Sequence, residues 1–195
     1  MNVAILLFDE VELLDFAGPL QVFTTAARVA PAGGARPFTA FTVAAQPAIT
    51  ARGGLRVEPT HTLSRHPKID LLLVPGGVVT AELEKPALID WIAAQAASAG
   101  VTAAVCTGAF LLAKAGLLTG KRATTHWEDV ADLRRMFPEV IVEDGPRWVD
   151  EGSIVTSAGI SAGIDMSLYL VERLCGGELA VKTARQMDYR WQREP

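Results

Sequence analysis

Of the two cysteines in the chain, Cys106 is placed to react and Cys175 is not. Cys106 lies in Ala104-Val-Cys-Thr-Gly108, where a short apolar run ends and a helical pattern begins. That is the outline of a nucleophile elbow, small-x-nucleophile-x-Gly, in which small neighbours permit a strained turn that exposes the side chain. A helix starting at Thr107 would set its positive end against the sulfur, favour the thiolate and lower the thiol pKa. The competing expectation is an inert cysteine packed as a small apolar side chain. Cys175 fits that second role, because it closes an apolar helix before Gly176-Gly177 with no acid or base nearby in sequence.

A thiol that forms covalent intermediates needs a proton donor and acceptor, and Asp15 is the candidate. It stands in Leu13-Leu-Asp-Phe-Ala-Gly18, an apolar setting that would desolvate a carboxylate and raise its pKa. Such an acid can give up and recover a proton during a reaction. The alternative is a helix-capping or first-turn acid, the role expected of Asp9, Glu10 and Glu12. Pro75-Gly76-Gly77 ends another apolar run, and its glycine amides can approach a ligand closely. The Gly77 N–H, paired with that of Thr107, could stabilise developing negative charge; an ordinary turn is the alternative. His126, in Ala123-Thr-Thr-His-Trp127, is available to pair with a cysteine or to be held structurally at a helix start. His61 and His66 fall in a polar stretch between Pro59 and Pro67 and read as loop. Three separated histidines and no Cys-x-x-Cys argue against a metal site. No glycine-rich phosphate motif is present, and no cofactor is expected.

The elements that must hold these residues are legible as a pattern. Val3-Ala-Ile-Leu-Leu-Phe8, Ile69-Asp-Leu-Leu-Leu-Val74, Val101-Thr-Ala-Ala-Val105 and Ser153-Ile-Val-Thr156 are apolar runs without alternation. Such runs are strands buried on both faces of a parallel sheet. Helical periodicity predicts helices over 13–30, 86–99, 107–115, 161–174 and 178–190, with a shorter one from 125 or 128 to 136. Residues 38–44 and 55–57 read as further strands, and 147–150 with 153–156 as a hairpin around Glu151-Gly152. Alternating strands and helices give an α/β sandwich with a mostly parallel central sheet. Ligands of such sheets bind beyond the carboxyl ends of the strands. Residues 9–15, 75–77, 106–107 and 157–161 all lie at such ends.

Composition narrows the function class. A length of 195 residues suits a single domain spanning 1–195, and half the residues are apolar while 21% are charged, so the chain is not disordered. A net charge of −4 without a basic cluster argues against a nucleic-acid binder. The start of the chain lacks a basic signal-peptide region, and the longest apolar stretch, 101–118, is interrupted by Lys114, Gly and Thr. The expectation is a cytoplasmic protein with no membrane segment.

Six segments together resemble the DJ-1/PfpI (ThiJ) superfamily across nearly the whole chain. They are Val3-Ala-Ile-Leu-Leu-Phe8, Leu14-Asp-Phe-Ala-Gly-Pro19, Asp70-Leu-Leu-Leu-Val-Pro-Gly-Gly77, Ala104-Val-Cys-Thr-Gly-Ala-Phe-Leu-Leu112, Ala123-Thr-Thr-His-Trp127 and Ser157-Ala-Gly-Ile-Ser-Ala-Gly-Ile-Asp165. The Leu-Asp-Phe-Ala-Gly-Pro and Cys-Thr-Gly segments look most like the isocyanide hydratase branch. They also look like the amidase-like domain at the front of some AraC-type regulators. The resemblance implies a flavodoxin-like three-layer sandwich, a homodimer, Cys106 as elbow nucleophile and Asp15 as the active-site carboxylate. It implies a hydro-lyase-type enzyme that adds water to an isocyanide to give an N-substituted formamide. Cys106 would attack the terminal carbon, and Asp15 would protonate that carbon and then assist water. Thr107 would hold the water or the sulfur, and Gly77 beside Gly76 would contribute a backbone donor. Ile160 would help wall an apolar pocket for a small uncharged electrophile. His126 matches a histidine near the cysteine of several relatives. Thr107 replaces the histidine that follows the cysteine in protease-like relatives, which counts against a Cys-His dipeptide protease. The alternatives are a non-enzymatic redox- or ligand-sensing module, in which Cys106 oxidises or binds a ligand, and a glyoxalase-like activity.

Overall fold

The computed structural model describes residues 1–31 and 36–195. A seven-stranded sheet forms its centre, in the order Trp148–Asp150, Ile154–Ser157, Val101–Val105, Leu71–Val74, Asn2–Leu7, Thr39–Ala44 and His61–Thr62. Every neighbouring pair is parallel except the hairpin of Trp148–Asp150 with Ile154–Ser157. The three middle strands are the unalternating apolar runs. Residues 3–7, 71–74 and 101–105 are all buried, as strands covered on both faces must be.

The helices make the two outer layers. Leu13–Val29, Ala162–Cys175 and Gly177–Gln186 pack on one another as one layer; Thr80–Leu83, Pro86–Ser98 and Gly108–Lys114 form the second. From the strand Asn2–Leu7 the chain passes through Leu13–Val29 to Thr39–Ala44 on one side. It then returns to build Leu71–Val74 on the other side. The reversal between Asn2–Leu7 and Leu71–Val74 is the switch point where doubly wound sheets open a crevice. The three-layer α/β architecture with a mostly parallel central sheet expected from the sequence is the one observed.

Three expectations shift. The last helix stops at Gln186 rather than Arg190, because Asp188 takes a left-handed conformation at φ 49°. His61 belongs to the edge strand and not to a loop, pairing through Val43 with Thr39–Ala44. The segment after His126 opens with a 3-10 turn, Trp127–Asp129, before the helix Val130–Met136. Among the described residues no helix is long and apolar enough to cross a membrane.

Candidate active site

Cys106, Asp15 and the Gly76-Gly77 turn meet at the carboxyl ends of three adjacent central strands. Cys106 follows Val101–Val105 directly and adopts φ 57°, a left-handed conformation that costs a residue with a Cβ roughly 1 kcal/mol or more. Surrounding bonds hold it there. Its N–H donates to the Ser157 carbonyl at 3.0 Å, and its carbonyl accepts the Thr125 hydroxyl at 2.9 Å. The next turn needs glycine for space: a Cβ on Gly108 would lie 2.2 Å from the Val74 carbonyl oxygen. Helix Gly108–Lys114 can therefore start tight against the neighbouring strand.

Asp15 enters from the first turn of Leu13–Val29 and is fully buried. Its Oδ2 accepts the Gly76 N–H at 3.1 Å, while its Oδ1 is buried without a hydrogen-bond partner among the described residues. Burial is the main force raising its pKa to about 7, and the nearby Glu12 charge adds to it. The Gly76 amide, the Cys106 thiol and the Arg52 charge pull the other way. Gly76 leaves no room for a side chain, since a Cβ there would lie 2.6 Å from both Thr107 N and Thr107 Oγ1 and 2.9 Å from Asp15 Oδ2.

Two expected roles change. The Gly77 N–H donates to the Thr107 hydroxyl at 2.9 Å, and that hydroxyl donates back to the Gly77 carbonyl at 2.8 Å. The Gly77 amide is spent inside the protein and is not offered to an oxyanion; nor does the Thr107 hydroxyl have a proton left for water or sulfur. The Thr107 backbone N–H still favours the ionised sulfur. Gly76 likewise orients Asp15 instead of facing a ligand.

The thiol also differs from expectation. Helix polarity was expected to lower its pKa, yet burial first, and the Asp15 charge second, push it up to about 12. The Thr107 N–H only partly opposes them. The helix behind it has seven residues, too short a dipole to outweigh desolvation. Thiol and carboxyl each resist ionisation while the other is charged, so they titrate as one pair.

Above the thiol opens a cavity of about 210 Å³ whose walls include Cys106, Thr107, Gly77, His126 and Ile160. Ile160 stands at φ 33°, and a Cβ on its neighbour Gly159 would strike the His126 ring. The cavity therefore brings together every residue expected at the site except Asp15 and Gly76, which lie beneath it. It is not the apolar pocket expected. Glu12, Arg52, Glu128 and Asp129 complete its walls. Arg52 reaches Glu12 at 3.1 Å, and His126 Nε2 lies 3.8 Å from Glu128. Sequence reading also missed Thr125 and these four mouth residues. Nothing in their spacing marks them, because they reach the site from three separate loops. Among the described residues no cluster of three potential metal ligands occurs.

Comparison with known proteins adds a lineage to this geometry. The DJ-1/PfpI family model matches residues 1–173. The chain is 36% identical over 190 residues to an isonitrile hydratase of Pseudomonas putida, covering 97% of this chain and 78% of that protein. It is 34% identical over 144 residues to the HTH-type transcriptional regulator CdhR of Pseudomonas aeruginosa, covering 71% of this chain and 41% of the regulator. A solved ThiJ/PfpI family protein from Pseudomonas syringae superposes with a TM-score of 0.84 at 27% identity, over 96% of this chain and 74% of that one. Drosophila melanogaster DJ-1beta superposes with a TM-score of 0.82 at 20% identity, over 97% of this chain and 98% of that one, a likeness of fold.

Proposed function

The chain belongs to the DJ-1/PfpI family, and from that premise we propose that it is an isocyanide hydratase-like enzyme with Cys106 as nucleophile and Asp15 as acid and base. The observation that carries this reading is the buried Asp15, whose pKa is raised to about 7, paired with the elbow thiol beneath an open cavity. The 36% identical isonitrile hydratase supports the choice of chemistry.

The pair carries one proton between two groups that cannot both ionise cheaply. That proton rests mostly on sulfur, the weaker acid; in the minor arrangement that has it on Asp15, the sulfur is a thiolate, favoured by the Thr107 N–H. It attacks the terminal carbon of R–N≡C, and Asp15 delivers its proton to that same carbon. The product is a thioimidate, Cys–S–CH=N–R, with Asp15 ionised. Water then adds across C=N: its hydroxyl goes to carbon and its other proton to nitrogen, with the Asp15 carboxylate polarising it. As the C–S bond breaks, the hydroxyl proton returns to Asp15. N-substituted formamide leaves, and the thiolate and acid are restored. Gly76 holds Asp15 for both transfers, and Ile160 and His126 wall the substrate space. The same reading takes the working protein as a homodimer in the cytoplasm.

The test is turnover of cyclohexyl isocyanide to its formamide, followed by chromatography. Cys106→Ala is expected to abolish it, and Asp15→Asn to slow it by roughly 10²–10⁴-fold, the range for loss of a general acid–base. Absence of turnover across alkyl and aryl isocyanides, with the thiol intact, overturns the hydratase reading. The similarity to the regulator CdhR favours a second reading, a ligand-sensing module in which Cys106 and its cavity bind without turnover.

A further inference from the structure

The polarity of the mouth bears on which electrophiles enter. Beside the cavity over Cys106 lies a second one of about 340 Å³, and Gly77, Thr107 and Asp129 line both. Its floor is apolar, built from Val79, Leu83 and Phe110, with the exposed Val78 and Met136 at its edge. Among the described residues no basic side chain lines it; Thr80 and Thr107 bring hydroxyls to its wall, and its charged residues are Asp129 and Asp132. Over the sulfur, Arg52 is the only lysine or arginine among the described residues on the wall and is already tied to Glu12, while Glu128 faces His126. Asp132 is neutralised in part by Arg135 at 2.8 Å. Asp129, shared by both cavities, has neither ion pair nor side-chain hydrogen bond among the described residues. Its pKa is raised, by burial first, with Glu128 and Asp132 adding to the rise against the pull of His126. A like-charged pair of neighbours and partial burial leave that carboxylate short of a counter-charge. Beneath the sulfur, and outside the lining of both cavities, Asp15 is fully buried with its Oδ1 unpartnered among the described residues.

We infer that the Cys106 site takes electrophiles carrying an ammonium-type cation on a short apolar stem, the stem over Val79 and Phe110 and the cation against Asp129. The inference rests on Cys106 being the nucleophile, and it names the charge of the substrate where the sequence alone suggested an uncharged one. The reacting group stays neutral; the tail supplies the charge. An anionic tail meets the carboxylates of Glu128, Asp129 and Asp132, against which the described walls set only His126, itself facing Glu128, and Arg52, already tied to Glu12.

Methanethiosulfonate reagents test this without any need for turnover. The thiolate attacks the sulfenyl sulfur, a mixed disulfide forms, methanesulfinate leaves, and the thiol proton passes to buffer. Trimethylammonioethyl and sulfonatoethyl reagents are compared with the neutral methyl reagent, and labelling at Cys106 and Cys175 is followed separately by peptide mass spectrometry. Cys175, expected from the sequence to be packed as a small apolar side chain, is exposed at the end of Ala162–Cys175 and serves as the internal reference. The cation-to-anion rate ratio at Cys106 is expected to exceed that at Cys175 by on the order of tenfold at low salt, the effect of two poorly screened unit charges. Asp129→Asn, at a half-exposed position, is expected to lose most of that excess. Equal ratios at the two cysteines, or an excess that survives Asp129→Asn, overturns the inference while leaving the nucleophile in place. Failure of Cys106 to react with all three reagents, while Cys175 reacts, overturns the nucleophile reading itself.

Discussion

Replacing Asp15 by Asn turns its unusual acidity into a stability measurement. In the unfolded chain the carboxyl ionises near the ordinary 3.8, and in the folded protein at about 7. Between those values the folded state holds a proton that the unfolded state has released. Stability that is fully present below pH 3.8 is therefore lost as pH rises, at about 1.4 kcal/mol per pH unit, until the folded group also ionises near 7. The whole loss is on the order of 4 kcal/mol, drawn from a residue with no exposed surface. The amide of the Asp15→Asn variant does not titrate. Its oxygen can keep the Gly76 N–H, while its NH₂ at the unpartnered Oδ1 position costs about 1–3 kcal/mol at every pH. Wild type is thus expected to be the more stable protein at about pH 4.5, and the Asn variant to match or pass it at about pH 8. Urea unfolding at these two values and at about pH 6 reads both curves, and the highest stays below the ordinary thiol ionisation of about 8.5. Two parallel curves, separated by a constant offset, would falsify the claim that this carboxyl is buried against its own ionisation.

Two further substitutions probe the frame around the pair. Gly76→Ala puts a methyl group within 2.6 Å of Thr107 N and 2.9 Å of Asp15 Oδ2, so Asp15 must leave its one amide donor. Isocyanide turnover is expected to drop by about 10–100-fold, matching loss of a hydrogen bond to a charged group, with circular dichroism unchanged; full turnover would mean the turn does not position Asp15. Thr125→Val keeps the shape but leaves the buried Cys106 carbonyl with only the Ala109 N–H at 3.3 Å. A loss of about 0.5–1.5 kcal/mol in urea unfolding is expected, with Thr125→Ser close to wild type, and a Val variant as stable as wild type would show that the elbow does not depend on this bond.

The sequence carried the parts of this molecule that local physics decides. Runs 3–7, 71–74 and 101–105 are apolar without alternation because both faces of a central parallel strand are covered, and the described strands follow them closely. Ala104 to Gly108 announced a strained turn because only small residues fit where Gly108 passes the Val74 carbonyl. What stayed hidden depends on partners distant in sequence. Spacing says that Gly77 has a free amide, but only the fold shows that Thr107, thirty residues later, consumes it. Helix polarity next to Cys106 is a local signal, whereas the desolvation that outweighs it is a property of the assembled core. His61 read as loop because an edge strand of two residues has too few positions to show a period.

The same division explains why one frame can serve enzymes and regulators alike. The elbow and its carboxylate come from strand ends and a first helical turn, whose positions the packed core dictates. Moving either would unseat buried residues such as Val74 and Phe16. The mouth is made otherwise, from the turn at Arg52, the 3-10 turn Trp127–Asp129 and the left-handed Ile160, all at or near the surface. Substitutions there change charge and shape at little cost to folding, since exposed positions contribute little to stability. With Cys106 as the proposed nucleophile, its placement is thus tied to the fold, and the shape and charge of the way in are tied to surface loops. If the charge of Asp129 selects the substrate, exchanging it should redirect labelling while leaving unfolding free energy within about 0.5 kcal/mol of wild type. A large loss of stability on that single exchange would place Asp129 in the frame instead of the mouth.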